Sequence, residues 1–182
     1  NQPSESVAGL VLSGPMLNSS LWATDQKTYI AKFPPALRDT ILQAEASGEF
    51  DSPSYQSAVM EYYRTHVCRL KRWPDCLNRS FGKVNVQLYQ HMWGPSEFTV
   101  SGTLKDYDCV ARLKDISVPV LFTCGQYDEA APRTVRYFQR QISGAEIHVF
   151  DDASHEHHLE KTKEYLSVVG SFLDRTDRTS GD

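Results

Sequence analysis

The stretch that decides the fold spans residues 118–129 and reads VPVLFTCGQYDE. Its uninterrupted apolar run, closed by Gly125, is typical of a strand buried at the centre of a parallel sheet. Residues 146–150, which read EIHVF, predict a second strand, and a helix is predicted between the two strands from Pro132 to near Gly144. A strand, a helix and a strand at this spacing predict a parallel β-α-β unit with a right-handed crossover.

Upstream of that unit, the sequence predicts a third buried strand at residues 7–12 and then a long region of helices and loops. Proline in a first turn, a serine cap and apolar residues at helical spacing mark these helices. They are predicted at residues 35–48, 52–73 and 84–93. The pattern therefore predicts an α/β fold of parallel strands with flanking helices, which a helical insertion interrupts.

Three strands are too few for the sheet that this pattern implies. The strand at residues 7–12 has the sequence of a buried strand, yet one of its edges would be left unpaired. We therefore expect further strands upstream. The chain divides into a sheet strand at residues 1–20, a helical insertion at 21–108, and the remainder of the sheet domain at 109–182. The last helix is predicted around residues 159–173, and the polar residues 174–182 are expected to be frayed.

Composition excludes several classes of partner. With a net charge of −4 the chain has no general attraction to nucleic acid or to anionic membranes. No apolar run approaches the roughly 20 residues that span a membrane, and no signal peptide precedes the first strand, so we expect a cytoplasmic location. Neither a P-loop nor a G-x-G-x-x-G motif is present, so no cofactor is expected.

Two polar residues follow the carboxyl ends of neighbouring predicted strands. Asp128 lies in the loop after residues 118–124, and His155 lies in the loop after residues 146–150. The carboxyl ends of parallel strands meet at one edge of a sheet, where ligands bind. An Asp beside a His orients the imidazole, which can then accept a proton from a nucleophile. The alternative is that Asp128 caps its own turn and that His155 is a surface residue.

The nucleophile that such a pair would serve is absent. A nucleophilic serine at a strand-to-helix turn needs the pattern G-x-S-x-G. The nearest approach in this sequence, residues 94–98, lacks the second glycine and follows no strand. We expect the serine and its oxyanion loop upstream of Val7. A zinc site built on His155 and His158 is the alternative, but the motif H-E-x-x-H would need histidine at position 159, where leucine stands.

Several motifs resemble one family. The runs MWGPSEF at residues 92–98 and GTLKDYD at 102–108 are similar to the end of the cap in prolyl aminopeptidases, also called proline iminopeptidases. GQYDE at 125–129 resembles the acid loop of that family, and ASH at 153–155 resembles its histidine loop. The resemblance extends from about Val7 to Leu173. It implies that the chain is the carboxy-terminal part of an α/β-hydrolase, with a partial sheet that carries a helical cap.

The resemblance also implies a function: release of an amino-terminal residue, often proline, from peptides or amides. Asp128 and His155 would be members of the catalytic triad, and Glu97 and Glu129 would bind the free α-amino group of the substrate. Two carboxylates suit that ammonium group, because charge-assisted hydrogen bonds are strong. Three aromatic residues would either wall the pocket for the proline ring or belong to the cap core: Trp93, Phe98 and Tyr107.

The missing amino-terminal segment of the same enzyme is therefore the expected partner, together with a substrate that has a free amino terminus. The polar run at residues 155–158 departs from the usual pattern of the family. This departure leaves the exact form of the acceptor pocket open, but not the role of His155. Two alternatives stay open. The completed protein could be an α/β-hydrolase that acts on another amide or ester, or the chain could be a fragment without catalytic activity.

Overall fold

The computed structural model describes residues 7–179, and at its centre lies a three-stranded parallel sheet. The strands are β1 (Leu10–Ser13), β2 (Val120–Gly125) and β3 (Glu146–Phe150), in the spatial order β1-β2-β3. Every residue of β2 is buried, as expected for a central strand. β1 begins three positions later than predicted, because its pairing with β2 begins where the Leu10 amide donates to the Pro119 carbonyl.

Eight α-helices and one 3₁₀-helix flank the strands within the described residues. They are α1 (Ser19–Ile30), α2 (Pro35–Ser47), α3 (Pro53–His66), α4 (Asp75–Phe81), α5 (Val86–Met92), the 3₁₀-helix Val110–Asp115, α6 (Pro132–Gln139), α7 (His157–Glu160) and α8 (Thr162–Thr179). The predicted starts of two helices are confirmed: Pro35 opens α2, and the Ser52 hydroxyl caps α3 by accepting from the Tyr55 amide. α1 and α4 were not predicted. Asn18 caps α1 through its side chain, which accepts from the Leu21 amide.

Three helix ends differ from the prediction, and one of them is that of α6, which ends at Gln139 rather than near Gly144. α3 ends at His66 rather than near Trp73, because the His66 carbonyl accepts from the amides of Glu129 and His155 instead of from the next turn of a helix. α8 continues to Thr179, so residues 174–179 are helical rather than frayed. Thr176 is buried and lies beside Gly9, just before β1. Residues 180–182 lie outside the described residues.

The apolar core has two parts. One lies between the sheet and its helices, where Phe122 of β2 packs with Val135 and Phe138 of α6. The other lies within the helical insertion, where Tyr55, Tyr62 and Phe98 are in edge-on aromatic contact. The insertion therefore has an apolar core of its own, to which α1, α2 and α3 all contribute.

The insertion leaves and re-enters the sheet domain at one place. Asn18 and Asp108 form an isolated antiparallel bridge, and the Ser19 amide donates to the Tyr107 carbonyl at 2.9 Å. The division of the chain at residues 20 and 108 stays a prediction.

Within the described residues, β1 pairs with β2 alone, so its outer edge has no partner strand. An apolar groove of about 450 Å³ runs beside this edge, lined by Leu10, Leu12, Leu17 and Ile116 among others. No helix among the described residues is long and apolar enough to cross a membrane.

Candidate active site

Asp128 and His155, which the sequence placed at one edge of the sheet, are in direct contact. The Nδ1 atom of His155 lies 2.9 Å from Oδ1 of Asp128. The Asp128 carboxylate is fully buried and accepts two backbone hydrogen bonds, from Gly125 at 3.1 Å and from Ala130 at 2.8 Å. The side chain of His155 keeps 30% of its surface exposed. With Nδ1 on the carboxylate, Nε2 is the ring nitrogen left for a proton transfer.

The protonation of His155 reflects its acidic surroundings. Burial disfavours the imidazolium, but the neighbouring carboxylate of Asp128, helped by Glu129 and Glu156, outweighs burial and raises the pKa of His155 to about 10. In this structure the imidazolium is therefore the favoured form at neutral pH. A ligand that brings positive charge to these carboxylates would lower that pKa.

The end of β1 approaches the ring of His155 closely. Gly14 has a φ of +55°, and a Cβ at this position would lie 2.6 Å from Cε1 of His155. A larger residue at Gly14 would displace the imidazole, and the positive φ disfavours any side chain there. Glycine at this position therefore lets the strand and the histidine loop meet.

The carboxyl end of α3 joins the two loops. The His66 carbonyl accepts from the amides of Glu129 and His155, at 3.2 and 3.1 Å. The His66 side chain also bonds to the acid loop, with Nδ1 2.7 Å from the Tyr127 carbonyl. Burial lowers the pKa of His66, so the neutral ring serves as the donor in that bond. The insertion thus fixes the distance between the loops that carry Asp128 and His155.

A cavity of about 630 Å³ opens beside His155 and contains Glu97 and Glu129. The Tyr89 hydroxyl donates to Oε1 of Glu97 at 2.8 Å, and the Trp22 indole donates to the Glu97 carbonyl at 2.8 Å. Glu129 is only 3% exposed, and its Oε2 atom has no hydrogen-bond partner among the described residues. A buried carboxylate oxygen without a partner is costly, so this atom marks a place for a donor from a ligand.

The surroundings of the two glutamates raise the pKa of both carboxyl groups. Burial raises the pKa of Glu97, although the Tyr89 hydrogen bond and the charge of His155 oppose the rise. Burial raises the pKa of Glu129 well above its ordinary value, and the nearby charge of Glu97 raises it further. Two carboxylates that repel each other in a buried site favour a bound cation.

Of the three aromatic residues singled out in the sequence, one lines the cavity. Trp93 is part of its wall and meets Trp22 edge to face, with 5.7 Å between ring centroids. Phe98 does not line the cavity, because its ring is buried in the core of the insertion against Tyr55 and Tyr62. Tyr107 is 41% exposed and is likewise absent from the wall, since it lies where the insertion rejoins the sheet domain.

A second histidine, His157, lies buried behind Asp128. Its Nε2 atom is 2.9 Å from the Ser13 hydroxyl and 3.0 Å from the Thr123 hydroxyl, and its Nδ1 atom is 3.2 Å from the Ser154 carbonyl. Nδ1 also lies 3.7 Å from Oδ2 of Asp128. Burial lowers the pKa of His157. This neutral ring joins the ends of β1 and β2 to the histidine loop.

Among the cavity residues to which the sequence assigned no role are Trp22, Tyr89 and Glu156. Trp22 lies on α1, which was not predicted, and Tyr89 lies in the helix predicted at residues 84–93. Glu156 carries a signal in the sequence, because it directly follows His155. Among residues 7–179, no group of three or more His, Cys, Asp or Glu side chains could hold a metal ion.

Comparison with known proteins gives a consistent set of relatives, although no family model matches. The chain is 39% identical to a proline iminopeptidase of Heyndrickxia coagulans, over 92% of this chain and 58% of that protein. It is 35% identical to the crystal structure of a proline iminopeptidase of Mycobacterium smegmatis, with a TM-score of 0.87 over 95% of this chain and 58% of that one. The crystal structure of VinJ is 32% identical, with a TM-score of 0.89 over 93% of this chain and 58% of that one. The chain therefore spans about 58% of the length of these relatives.

Proposed function

The chain belongs to the proline iminopeptidase family of α/β-hydrolases, and we propose that it is the carboxy-terminal part of a serine aminopeptidase. The completed enzyme releases an amino-terminal residue, proline above all, from peptides and amides. The observation that carries the proposal is one cavity that contains both His155, hydrogen-bonded to Asp128, and Glu129, with a buried oxygen that lacks a partner.

In this proposal Asp128 and His155 supply two members of the triad. Asp128 holds the imidazole with Nε2 toward the cavity, and His155 takes the proton of a serine hydroxyl and later gives it to the leaving amine. The serine and the oxyanion donors belong to an upstream segment. The unpaired outer edge of β1 and the apolar groove beside it favour strands of that segment as its neighbours.

Glu97 and Glu129 bind the α-ammonium group of the substrate. The proline nitrogen is a secondary amine, which offers two N–H donors and one positive charge, and two carboxylates can accept both. Fixing the amine at one end of the cavity fixes the reacting carbon relative to His155. Trp93 and Trp22 form an apolar wall for the ring of the terminal residue.

Substrate binding also prepares His155 for its task. The carboxylates around the cavity favour the imidazolium, which cannot accept a proton. A bound ammonium group offsets the part of this effect that comes from Glu129 and so lowers the pKa of His155, while the contribution of Asp128 stays. The charge that identifies the substrate therefore also activates the base.

The test compares two substrates on the chain joined to the segment that precedes it in its gene. Prolyl p-nitroanilide should be cleaved, N-acetylprolyl p-nitroanilide should be a poor substrate, and a serine-directed fluorophosphonate should abolish the activity. The chain without that segment should be inactive. Equal cleavage of both substrates would instead favour a hydrolase for other amides or esters, and no cleavage of either by the joined protein would favour a non-catalytic fragment.

A further inference from the structure

The cavity holds a third carboxylate, Glu156, that the proposed roles leave unused. Glu156 lines the cavity together with His155 and Glu129, and its side chain is 17% exposed. Its ion-pair neighbour among the described residues is His158, whose Nε2 atom lies 3.5 Å from Oε2 of Glu156 and whose side chain is 46% exposed. A contact this long with a well-exposed histidine is weak. The carboxylate of Glu156 can therefore interact with a ligand.

The backbone holds Glu156 in a fixed position relative to the catalytic histidine. Its amide donates to the Val67 carbonyl at 2.8 Å, and the preceding amide, that of His155, donates to the His66 carbonyl at 3.1 Å. Both bonds are made to the end of α3. A residue anchored in this way acts on a ligand from a defined place, as a specificity-determining residue must.

Acidic side chains outnumber basic ones in the wall of the cavity, where His155 is the basic residue. Its wall carries Glu97, Glu129 and Glu156, and within residues 7–179 no lysine or arginine lines it. Oε2 of Glu129 is buried without a partner among the described residues, which indicates independently that the cavity can take a hydrogen-bond donor from a ligand. The α-ammonium group of a substrate supplies one positive charge to the glutamate pair. A second positive charge on the same substrate would interact with the third carboxylate.

The orientation of the bound substrate determines where that second charge lies. The ammonium group of the terminal residue lies at Glu97 and Glu129, and the amine of the leaving residue must lie beside His155, which protonates it. Glu156 directly follows His155 and lines the same cavity. The leaving residue is therefore the part of the substrate that meets Glu156.

We propose that Glu156 selects substrates whose second residue is basic, so that lysine or arginine after the released residue is preferred. This inference rests on the proposed function and specifies its substrate class. The side chains of lysine and arginine are long enough to keep their charge at the mouth of the cavity while the scissile bond lies at His155.

The test uses matched dipeptide amides and the chain joined to its preceding segment. Prolyl-lysine amide and prolyl-norleucine amide have side chains of similar length and differ in the ammonium group. We expect kcat/KM to favour lysine by about 1.4- to 5-fold at low salt, the range for an exposed ion pair. The preference should shrink as NaCl is raised, because salt screens the pair.

Three variants complete the test, and thermal unfolding checks that each is folded. Glu156→Gln should bring the lysine-to-norleucine ratio close to one, and Glu156→Asp, which keeps the charge, should retain a preference. Glu164→Gln is the matched control, since it removes one negative charge from α8 at a residue that does not line the cavity, and it should leave the ratio unchanged.

A lysine preference that is absent in the unmodified protein, or that survives in Glu156→Gln, overturns the role of Glu156 while the aminopeptidase proposal stands. The two failures are distinguishable, because a failed aminopeptidase proposal would abolish cleavage of both dipeptide amides and of prolyl p-nitroanilide. In that case the inference about Glu156 is overturned with it.

Discussion

Asp128 and Glu129 are neighbours in sequence and both are buried, yet their carboxylates have different surroundings. The carboxylate of Asp128 accepts from the amides of Gly125 and Ala130 and contacts the His155 ring. Oε2 of Glu129 accepts from no described residue. We refer to Asp128 with His155, the triad members of the proposed function, as the catalytic pair, and to Glu97 with Glu129 as the glutamate pair.

The difference shows which groups the fold satisfies and which it leaves for a substrate. The catalytic pair is held by its own loops and by α3, so its geometry is complete without a ligand. The two carboxylates of the glutamate pair are buried and repel each other, which is a free-energy cost that the folded protein retains. A cation bound at the glutamate pair would relieve that cost. The free energy gained by recognising the charge of the substrate would then contribute to its binding. Four predictions test this contrast in the chain joined to its preceding segment.

The largest effect is expected at the catalytic pair. Asp128→Asn should lower kcat by about 10⁴-fold, because the amide no longer holds the imidazole in the reactive tautomer or stabilises its protonated form. His155→Ala should lower it at least as much. Pre-steady-state and steady-state rates with prolyl p-nitroanilide measure both. The competitive inhibition constant of proline amide should change little in Asp128→Asn, because the glutamate pair is intact; a loss below tenfold in kcat would contradict the assignment.

The next effect concerns the glutamate pair and depends on the substrate. Glu97→Gln and Glu129→Gln should each lower kcat/KM for prolyl p-nitroanilide by about 30- to 5,000-fold, the cost of losing a charged partner in a buried site. N-acetylproline methyl ester has no ammonium group, so its hydrolysis should change by less than about threefold. If the rates for both substrates fall equally, the glutamates stabilise the fold and do not bind the amine. The contrast between the catalytic pair and the glutamate pair would then fail.

How far the sequence predicts this contrast depends on which contacts are local. Asp128 and His155 could be found because each follows a strand whose apolar run is visible, and parallel strands bring their carboxyl ends together. Glu97 and Glu129 came from the resemblance to a family. The hydrogen-bond partners of the two pairs could not be predicted from the sequence. Tyr89 donates to Glu97 across a loop, and the His66 carbonyl joins two loops far apart in the chain. For Phe98 the sequence left a pocket wall and the cap core open, and packing inside the insertion places the ring in the core.

A smaller effect is expected from the environment of Glu97, and it appears in the pH dependence. The amine needs ionised carboxylates, and the pKa values of Glu97 and Glu129 are both raised in the free protein. As the pH falls through those raised values, protons compete with the substrate, so KM should rise at pH values where an ordinary glutamate is still ionised. Above that range KM should be flat until the substrate amine deprotonates.

Tyr89→Phe sharpens this test. The Tyr89 hydroxyl stabilises the ionised form of Glu97, so its loss should move the acidic limb of KM to higher pH and raise KM at neutral pH by about 3- to 10-fold. The value of kcat at saturating substrate should change little. Profiles of KM and kcat from pH 5 to 8 separate the two. An unchanged acidic limb in Tyr89→Phe would mean that Glu97 does not bind the amine.

The smallest effect on rate is expected at His157, which supports the catalytic pair from behind without facing the cavity. Its ring is fully buried and has polar contacts with Ser13, Thr123 and Ser154. Glutamine cannot reproduce these contacts in the same volume, so His157→Gln should lower the free energy of unfolding by about 1–3 kcal/mol. The value of kcat should change by less than about threefold at temperatures where the variant is folded, because the backbone amides of Gly125 and Ala130 still hold Asp128.

His158→Gln is the matched control: its side chain is 46% exposed, and its effect on stability should stay within about 0.5 kcal/mol. Urea unfolding and prolyl p-nitroanilide kinetics on the two variants decide the matter. A loss of kcat in His157→Gln as large as that in Asp128→Asn would show that the geometry of the catalytic pair depends on the buried histidine rather than on its own loop.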